Sequence, residues 1–366
     1  MQRNFILTDV MKTGLHTEIE HFISMHSFTD QQFDITGEYY TLHNYDLDSY
    51  DRKFAVIDVR HHNDRIKDNK DFHADLKRRC DLLHSQGFVF IKATPWESVE
   101  YVNYPWPSDY DLHPQIDIPH IKWTGDVSWF WFLMYTKHKA NQFNLNHDHT
   151  SKWQKPYDFL FLNKTPRVHR TTLYEELIKK NILDNSIHTF IGMDPPRRLD
   201  KKYELPGIDP EDYPPMGKDQ DLYELPYLDT VCSLVSETNA NNYDVFMTEK
   251  IWKAVLTQHV FVVHGNYLYL QKLREMGFKT FSGYFDESYD LEKDSNTRIN
   301  KIVELCSQLK QWCDGSKQKW QDLYLQTQSI RQHNYDTFFD QQKLSLQINK
   351  TLELFLEFAD SSQVSS

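Results

Sequence analysis

Two stretches of this chain gather charged side chains at spacings that suit work on an anion. The first runs Ser236-Glu-Thr-Asn-Ala-Asn-Asn-Tyr-Asp-Val-Phe-Met-Thr-Glu-Lys250, after an apolar run and into a helical pattern. Thr248, Glu249 and Lys250 fall at the start of that helix. A carboxylate there faces the positive end of the helix dipole and can accept from vicinal hydroxyls such as those of a ribose. A lysine there is electrostatically out of place, and a bound anion compensates, because backbone N–H groups already point at it. The plainer reading is a capped helix with an exposed ion pair. The second stretch, Asn163-Lys-Thr-Pro-Arg-Val-His-Arg170, joins a predicted strand to a predicted helix and packs Lys164, Arg167, Arg170 and His169 together. Such a cluster suits a diphosphate at a strand end, and its plainer reading is a solvated basic turn.

Other chemistry-bearing patterns carry less. Asp46-x-Asp48, Asp109-x-Asp111 and Asp219-x-Asp221 match a metal-binding pair, but a chain this rich in aspartate yields such matches by chance. His147-Asp-His149 lacks a third ligand in spacing and reads as a surface loop. There is no Walker A loop, GxGxxG, GxSxG or HExxH. No metal is therefore expected.

The elements that must position these residues follow from apolar periodicity. Phe54–Val59 and Phe88–Ile91 read as strands flanking a helix over Asp71–Ser85, with Leu76, Cys80 and Leu83 on one face and Gly87 as its cap. A second series has strands at Tyr157–Leu162, Ile187–Ile191, Thr230–Val235 and His259–His264, with a further strand within Phe278–Tyr284. Its helices are expected over Arg170–Lys180 (Leu173, Leu177 and Ile178 inward), from Thr248 (Met247, Ile251 and Val255 inward), and around Leu270, Leu273 and Met276 with Gly277 as cap. Arg298–Phe358 is helical by pattern. Asn141–Gln154 reads as a linker, and Asp194–Pro226, with Tyr-Glu-Leu-Pro twice, as a surface insertion. Strand–helix–strand order predicts α/β architecture with two Rossmann-like doubly wound domains: residues 1–150, residues 156–330, and a helical tail over 331–366. Ligands on such sheets bind at the carboxyl ends of the strands.

The 366 residues suffice for two domains. Apolar residues at 39% and charged residues at 26% are ordinary globular values, which excludes wholesale disorder. The longest apolar run, Val127–Tyr135, falls short of a membrane span. No signal peptide is expected at the N-terminus. Four cysteines without a CxxC pair point to a reducing compartment, and a cytoplasmic location follows. A net charge of −12 argues against a dedicated nucleic-acid binder, although a local basic groove would override it.

Taken together, Arg170-Thr-Thr-Leu-Tyr-Glu-Glu-Leu177, Ser236-Glu237-Thr238 and Phe246-Met-Thr-Glu-Lys250 resemble the donor-binding domain of glycosyltransferases of the α1,3-fucosyltransferase type. Phe261-Val-Val-His-Gly-Asn266, Leu273-Arg-Glu-Met-Gly-Phe-Lys-Thr-Phe281 and Asp286-Glu-Ser-Tyr-Asp290 resemble a broader set of glycosyltransferase-like proteins, many viral or bacterial. The resemblance covers about residues 156–300, roughly one domain. It implies a GT-B fold and inverting transfer of a sugar from a nucleoside-diphosphate sugar, the donor substrate, to a hydroxyl of a glycan or other acceptor, with no further cofactor. It also implies that Arg170 and Lys250, with Arg167 near them, hold the diphosphate, that Glu249 holds the ribose, and that Glu237 lies near the sugar or nucleotide. The family pattern has Tyr where Phe246 stands, so the base and sugar stay open. The N-terminal domain would bind the acceptor and supply the general base. Glu97, in Thr94-Pro-Trp-Glu-Ser-Val-Glu100, is the first candidate, with an ordinary loop carboxylate as its plainer reading; Asp126, beside Gly125, is the second. Two other readings stand beside this one: a non-catalytic nucleotide-sugar or glycan-binding module, and a glycosyltransferase acting on hydroxylated DNA bases.

Overall fold

The computed structural model describes residues 3–9, 31–36, 39–58, 70–93, 96–98, 120–123, 155–197, 222, 224–240, 244–313 and 316–340. Asp126, the Val127–Tyr135 run, the linker over 141–154 with His147 and His149, and the pairs Asp109/Asp111 and Asp219/Asp221 lie outside the described residues.

The chain divides into two compact units. The first holds a five-stranded sheet built from β1 (Arg3–Asp9), β2 (Gln31–Thr36), β3 (Arg52–Asp58), β4 (Val89–Ala93) and β6 (His120–Trp123), in the order β2-β1-β3-β4-β6. Every pairing in it is parallel. This is one of the two common doubly wound orders. Between β3 and β4 runs α1 (Lys70–Ser85). Its Leu76, Cys80 and Leu83 are buried with Ile6, Ala55, Phe88 and Phe90, as their spacing predicts. Each such leucine contributes about 1.5–3 kcal/mol by leaving water.

The second unit holds a four-stranded parallel sheet in the order β11-β9-β7-β8. Its strands are β7 (Tyr157–Asn163), β8 (Ile187–Phe190), β9 (Thr230–Ser236) and β11 (Val260–His264). Buried residues fill β9 and β11 from end to end, the pattern of strands covered on both faces. The helices are α2 (Val168–Lys179), α3 (Glu224–Leu228), α4 (Glu249–Leu256), α5 (Tyr269–Glu275), α6 (Ser295–Cys313), α7 (Lys317–Gln326) and α8 (Gln328–Phe339). A two-stranded antiparallel ribbon joins β5 (Trp96–Ser98) to β10 (Asp244–Phe246).

Four helices end in the same way. At Gly87, Gly277, Gln258 and Asn181 the backbone is left-handed, and the next residue's N–H bonds a carbonyl five residues back. The two glycines are legible as caps in the sequence; Gln258 and Asn181 accept the strained conformation because the paired bonds satisfy the last carbonyls. Phe278–Tyr284 is not a strand. Two of its N–H groups go to side chains instead: Lys279 N–H to Asn334 Oδ1, and Phe281 N–H to Glu287 Oε1, each at 2.7 Å. Ile178, expected inward, is 42% exposed, because α2 turns only Leu173 and Leu177 onto the sheet.

The boundaries also differ from those expected. Trp96–Ser98 belongs to the second unit, through the β5–β10 pairing. α8, assigned by pattern to a tail, also belongs there. Arg331 Nη1 donates to the Gln258 carbonyl at 3.0 Å, and Phe338 packs on Trp252 with ring centroids 5.9 Å apart. Buried Lys155 locks the start of β9 by donating to the carbonyls of Tyr227, Leu228 and Thr230. All four cysteines are buried and free. Among the described residues no helix is long and apolar enough to cross a membrane.

Candidate functional site

In the second unit the chain leaves β7 to one side for β8, then returns to the other side of β7 for β9. That reversal makes the β7/β9 boundary a topological switch point, where the loops after two neighbouring parallel strands part and leave a crevice. The basic stretch Asn163–Arg170 runs from the last residue of β7 through a short loop into α2, and the loop after β9 opens with Glu237 and Thr238. The two charged clusters of the sequence therefore meet at one place.

Thr238 is where they meet. Arg167 Nη1 donates to its carbonyl at 2.6 Å. Lys250 Nζ and Arg170 Nη2 reach its hydroxyl oxygen at 3.4 and 3.5 Å. Lys250 Nζ also donates to Glu249 Oε1 at 2.7 Å and to Thr248 Oγ1 at 3.1 Å. Thr248 caps α4 as expected, its side chain accepting from Lys250 N–H. Glu249 is mostly buried, which would raise its pKa, but Lys250 and Lys253 outweigh burial and hold it at about 2. It is a carboxylate at any physiological pH.

Arg170 is not aimed outward. Only 4% of it is exposed. Its donors go mainly to backbone carbonyls: Nε to Glu237 at 3.1 Å, Nη2 to Ser236 at 3.4 Å and Nη1 to Thr165 at 3.5 Å. Burial brings its pKa down to about 10, so it stays charged and braces the loop after β9. Arg167 stands at the N-cap position of α2, without a side-chain capping bond, and is half-buried, closer to the surface than Arg170.

Glu237 is likewise internal. Its carboxylate is fully buried and accepts from Thr248 N–H at 3.1 Å, from the Thr248 hydroxyl, and from Tyr269 Oη at 2.6 Å. Burial pushes its pKa above the usual carboxylate range. Glu97 lies in β5, directly opposite Val245 of β10, three residues before Thr248. Phe246, in the same ribbon, pairs with Trp96. The carboxylate expected in a loop of the N-terminal domain thus has its backbone beside the strand that feeds α4.

Sequence reasoning missed several residues here. Tyr269 opens α5 and carries no local motif. Asn163, Ser236 and His264 are the last residues of β7, β9 and β11, and their buried polar side-chain atoms have no protein hydrogen-bond partner among the described residues. Such groups are nearly always paired in a core, so three at neighbouring strand ends fit a site better. His169 Nε2 bonds the Glu237 carbonyl at 3.1 Å, and its ring packs edge-on against His264. Burial lowers the His169 pKa to about 4 and takes that of His264 well below the ordinary value. Asp46 and Asp48 are exposed on a short 3-10 turn. Among the described residues, no group of three or more His, Cys, Asp or Glu could hold a metal ion.

No protein-family model matches this sequence. No curated protein matches it either. Among solved structures, the chain is similar to an α1,3-fucosyltransferase determined with GDP-fucose, at 9% identity over 88% of this chain and 82% of that one, with a TM-score of 0.39. A likeness of that size carries neither fold nor function with it. What stands on this chain's own geometry is a mixed α/β protein with parallel, Rossmann-like sheets and a polar, cationic switch point.

Proposed function

We propose that this chain is an inverting glycosyltransferase of GT-B architecture, which moves a sugar from a nucleoside-diphosphate sugar to a hydroxyl of a glycan acceptor. The observation that carries this reading is the convergence of Arg167, Arg170 and Lys250 on Thr238 at a switch point, beside the N-terminus of α4. Glu249 balances one of these three cations, through Lys250, and the remaining two with the helix N-terminus leave the switch point positive. A diphosphate supplies the balance. The motif resemblance in the same residues supports the same ligand.

In this reading Lys250 and Arg167 meet the diphosphate, with Arg170 bracing the loop beneath them. Glu249, ionised and in the first turn of α4, accepts from the ribose hydroxyls. Phe246 leaves the choice of base and sugar open. The acceptor oxygen attacks the anomeric carbon from the face opposite the diphosphate. The sugar–phosphate bond breaks, its electrons pass to the diphosphate, and the acceptor proton passes to a general base, Glu97. Cations already in place around the leaving group act in the transition state without reorganising, and no metal is required for that step.

The test is thermal unfolding of the full chain with UDP-, GDP- and dTDP-sugars, and with a CMP-sugar as the monophosphate control, followed by assay of donor hydrolysis and transfer. A ligand at a hundred times its Kd adds about 2.7 kcal/mol. One sugar nucleotide should raise the midpoint and be slowly hydrolysed. No shift and no turnover with any of them would overturn the reading; a shift without turnover would make the chain a binding module.

A further inference from the structure

Lys250 does not stand alone at the mouth of α4. Its ammonium donates to Thr248 Oγ1 at 3.1 Å, and that hydroxyl has a single proton, which is given to Glu237 Oε2. With the proton committed, the hydroxyl's lone pairs are what Lys250 meets. Glu237 is fixed in turn by the Thr248 N–H and by Tyr269 Oη, both on Oε1. Tyr269 is itself seated: a Cβ on Gly265 would lie 2.4 Å from its Cδ2, so only glycine lets the ring lie there. The ring is 1% exposed and Glu237 0%. Donation therefore converges on Glu237, after β9: from Lys250 through the Thr248 hydroxyl at the cap of α4 on one side, and from Tyr269 at the start of α5 on the other.

We propose that Tyr269 and Glu237 are positioning residues that set the place of the Lys250 ammonium through the Thr248 hydroxyl, and so tune a diphosphate site without touching its ligand. The ligand in that statement rests on the function proposed above; the placement of the amine does not. A carboxylate buried with three donors holds its geometry because any displacement leaves a charged group short of partners. Tyr269→Phe removes one donor and keeps the ring against Gly265. Thr248→Val removes the relay hydroxyl, and Thr248→Ser keeps it.

Two measurements on the full-length chain decide the matter. The first is competitive acylation of lysine amines, read residue by residue by mass spectrometry. Tyr269→Phe and Thr248→Val should each change the rate at Lys250 by about threefold or more, with Lys253 and Lys272 unchanged, and Thr248→Ser should restore it. The second is calorimetric binding of pyrophosphate, UDP and GDP against uridine and guanosine. Tyr269→Phe should weaken the diphosphates about tenfold and leave the nucleosides alone. Unchanged Lys250 labelling in either variant overturns the relay. So does a Thr248→Ser variant that behaves like Thr248→Val. Should Tyr269→Phe fail to fold, Glu237→Gln, which keeps the shape of the side chain and removes its charge, is read in its place beside the Thr248 pair, with the same change at Lys250 expected. If the wild type binds none of the diphosphates, the glycosyltransferase reading falls, while the labelling result still stands for or against the relay.

Discussion

Arg170, in α2, donates through Nε to the carbonyl oxygen of Glu237, just past the end of β9, over 3.1 Å. This bond spans the switch point, tying the helix that follows β7 to the loop that follows β9. A residue whose type and position suggest a ligand-facing cation is thereby a brace. Its neighbour Lys250 keeps about a quarter of its side chain exposed.

The two cations should separate in experiment. Arg170→Met would remove its bond to the Ser236 carbonyl and leave the Glu237 carbonyl with His169 as its side-chain partner, and lost bonds to a buried charged donor cost about 1.5–3 kcal/mol each. Loss of at least about 2 kcal/mol in urea unfolding is expected, with or without ligand. A variant as stable as wild type would remove the bracing role.

Lys250→Ala should leave global stability within about 1 kcal/mol, because its ion pair with Glu249 is partly exposed. Nucleoside-diphosphate binding should weaken by about 1.5–3 kcal/mol, the scale of a hydrogen bond to a charged group. Nucleoside binding should hardly change. Calorimetry with UDP, GDP and their nucleosides reads the difference, and equal loss for both would take Lys250 away from the phosphates.

Acid should destabilise the fold through His169. Its folded pKa of about 4 lies below its unfolded value of 6.5, so between these pH values the unfolded chain binds more protons. Stability is then full above about pH 6.5 and falls as the pH drops toward 4. His264, lowered by burial and by His169, acts in the same direction. Glu237, raised by burial, acts oppositely as pH rises, so the histidine part is read as a difference. Urea midpoints at pH 7.5, 5.5 and 4.5 should converge between wild type and His169→Gln as the pH falls. A constant gap would refute the linkage.

Gly192 should be irreplaceable for the basic turn. Its N–H donates to the Lys164 carbonyl at 2.8 Å, and an added Cβ would lie 2.5 Å from Pro166 Cδ and 2.7 Å from that carbonyl. Gly192→Ala must push residues 164–166 outward, at about 1–3 kcal/mol. Weaker pyrophosphate binding should accompany the stability loss, since Arg167 moves with the turn. Loss of stability without loss of binding would place Arg167 outside the phosphate site.

Glu97→Gln keeps the shape of the side chain and removes a proton acceptor. Donor binding should stay near that of wild type while transfer falls by about 10²–10⁴, the usual contribution of a positioned base. The acidic limb of the pH–rate profile should vanish with it. Near-normal turnover would end the assignment, and Asp126→Asn would be the next variant to measure.

The sequence by itself determined what depends on near neighbours. Apolar alternation and helical spacing place α1, α4 and the strands of the four-stranded sheet, and Thr248, Gly87 and Gly277 mark helix ends, because caps are bonds within a few residues along the chain. The two charged clusters are legible for the same reason: each is one short continuous stretch between a strand and the helix that follows it. Which strands adjoin was not legible. Sheet order brings the loop after β7 against the loop after β9, and only that adjacency sends Arg170 to carbonyls about 70 residues away and buries Glu237 under Tyr269. The β5–β10 pairing that moves Glu97 into the second unit is of the same kind. A hydrogen bond between residues far apart in sequence leaves no periodic trace in either segment, so tertiary structure alone decides whether a charged side chain faces a ligand or the protein's own backbone.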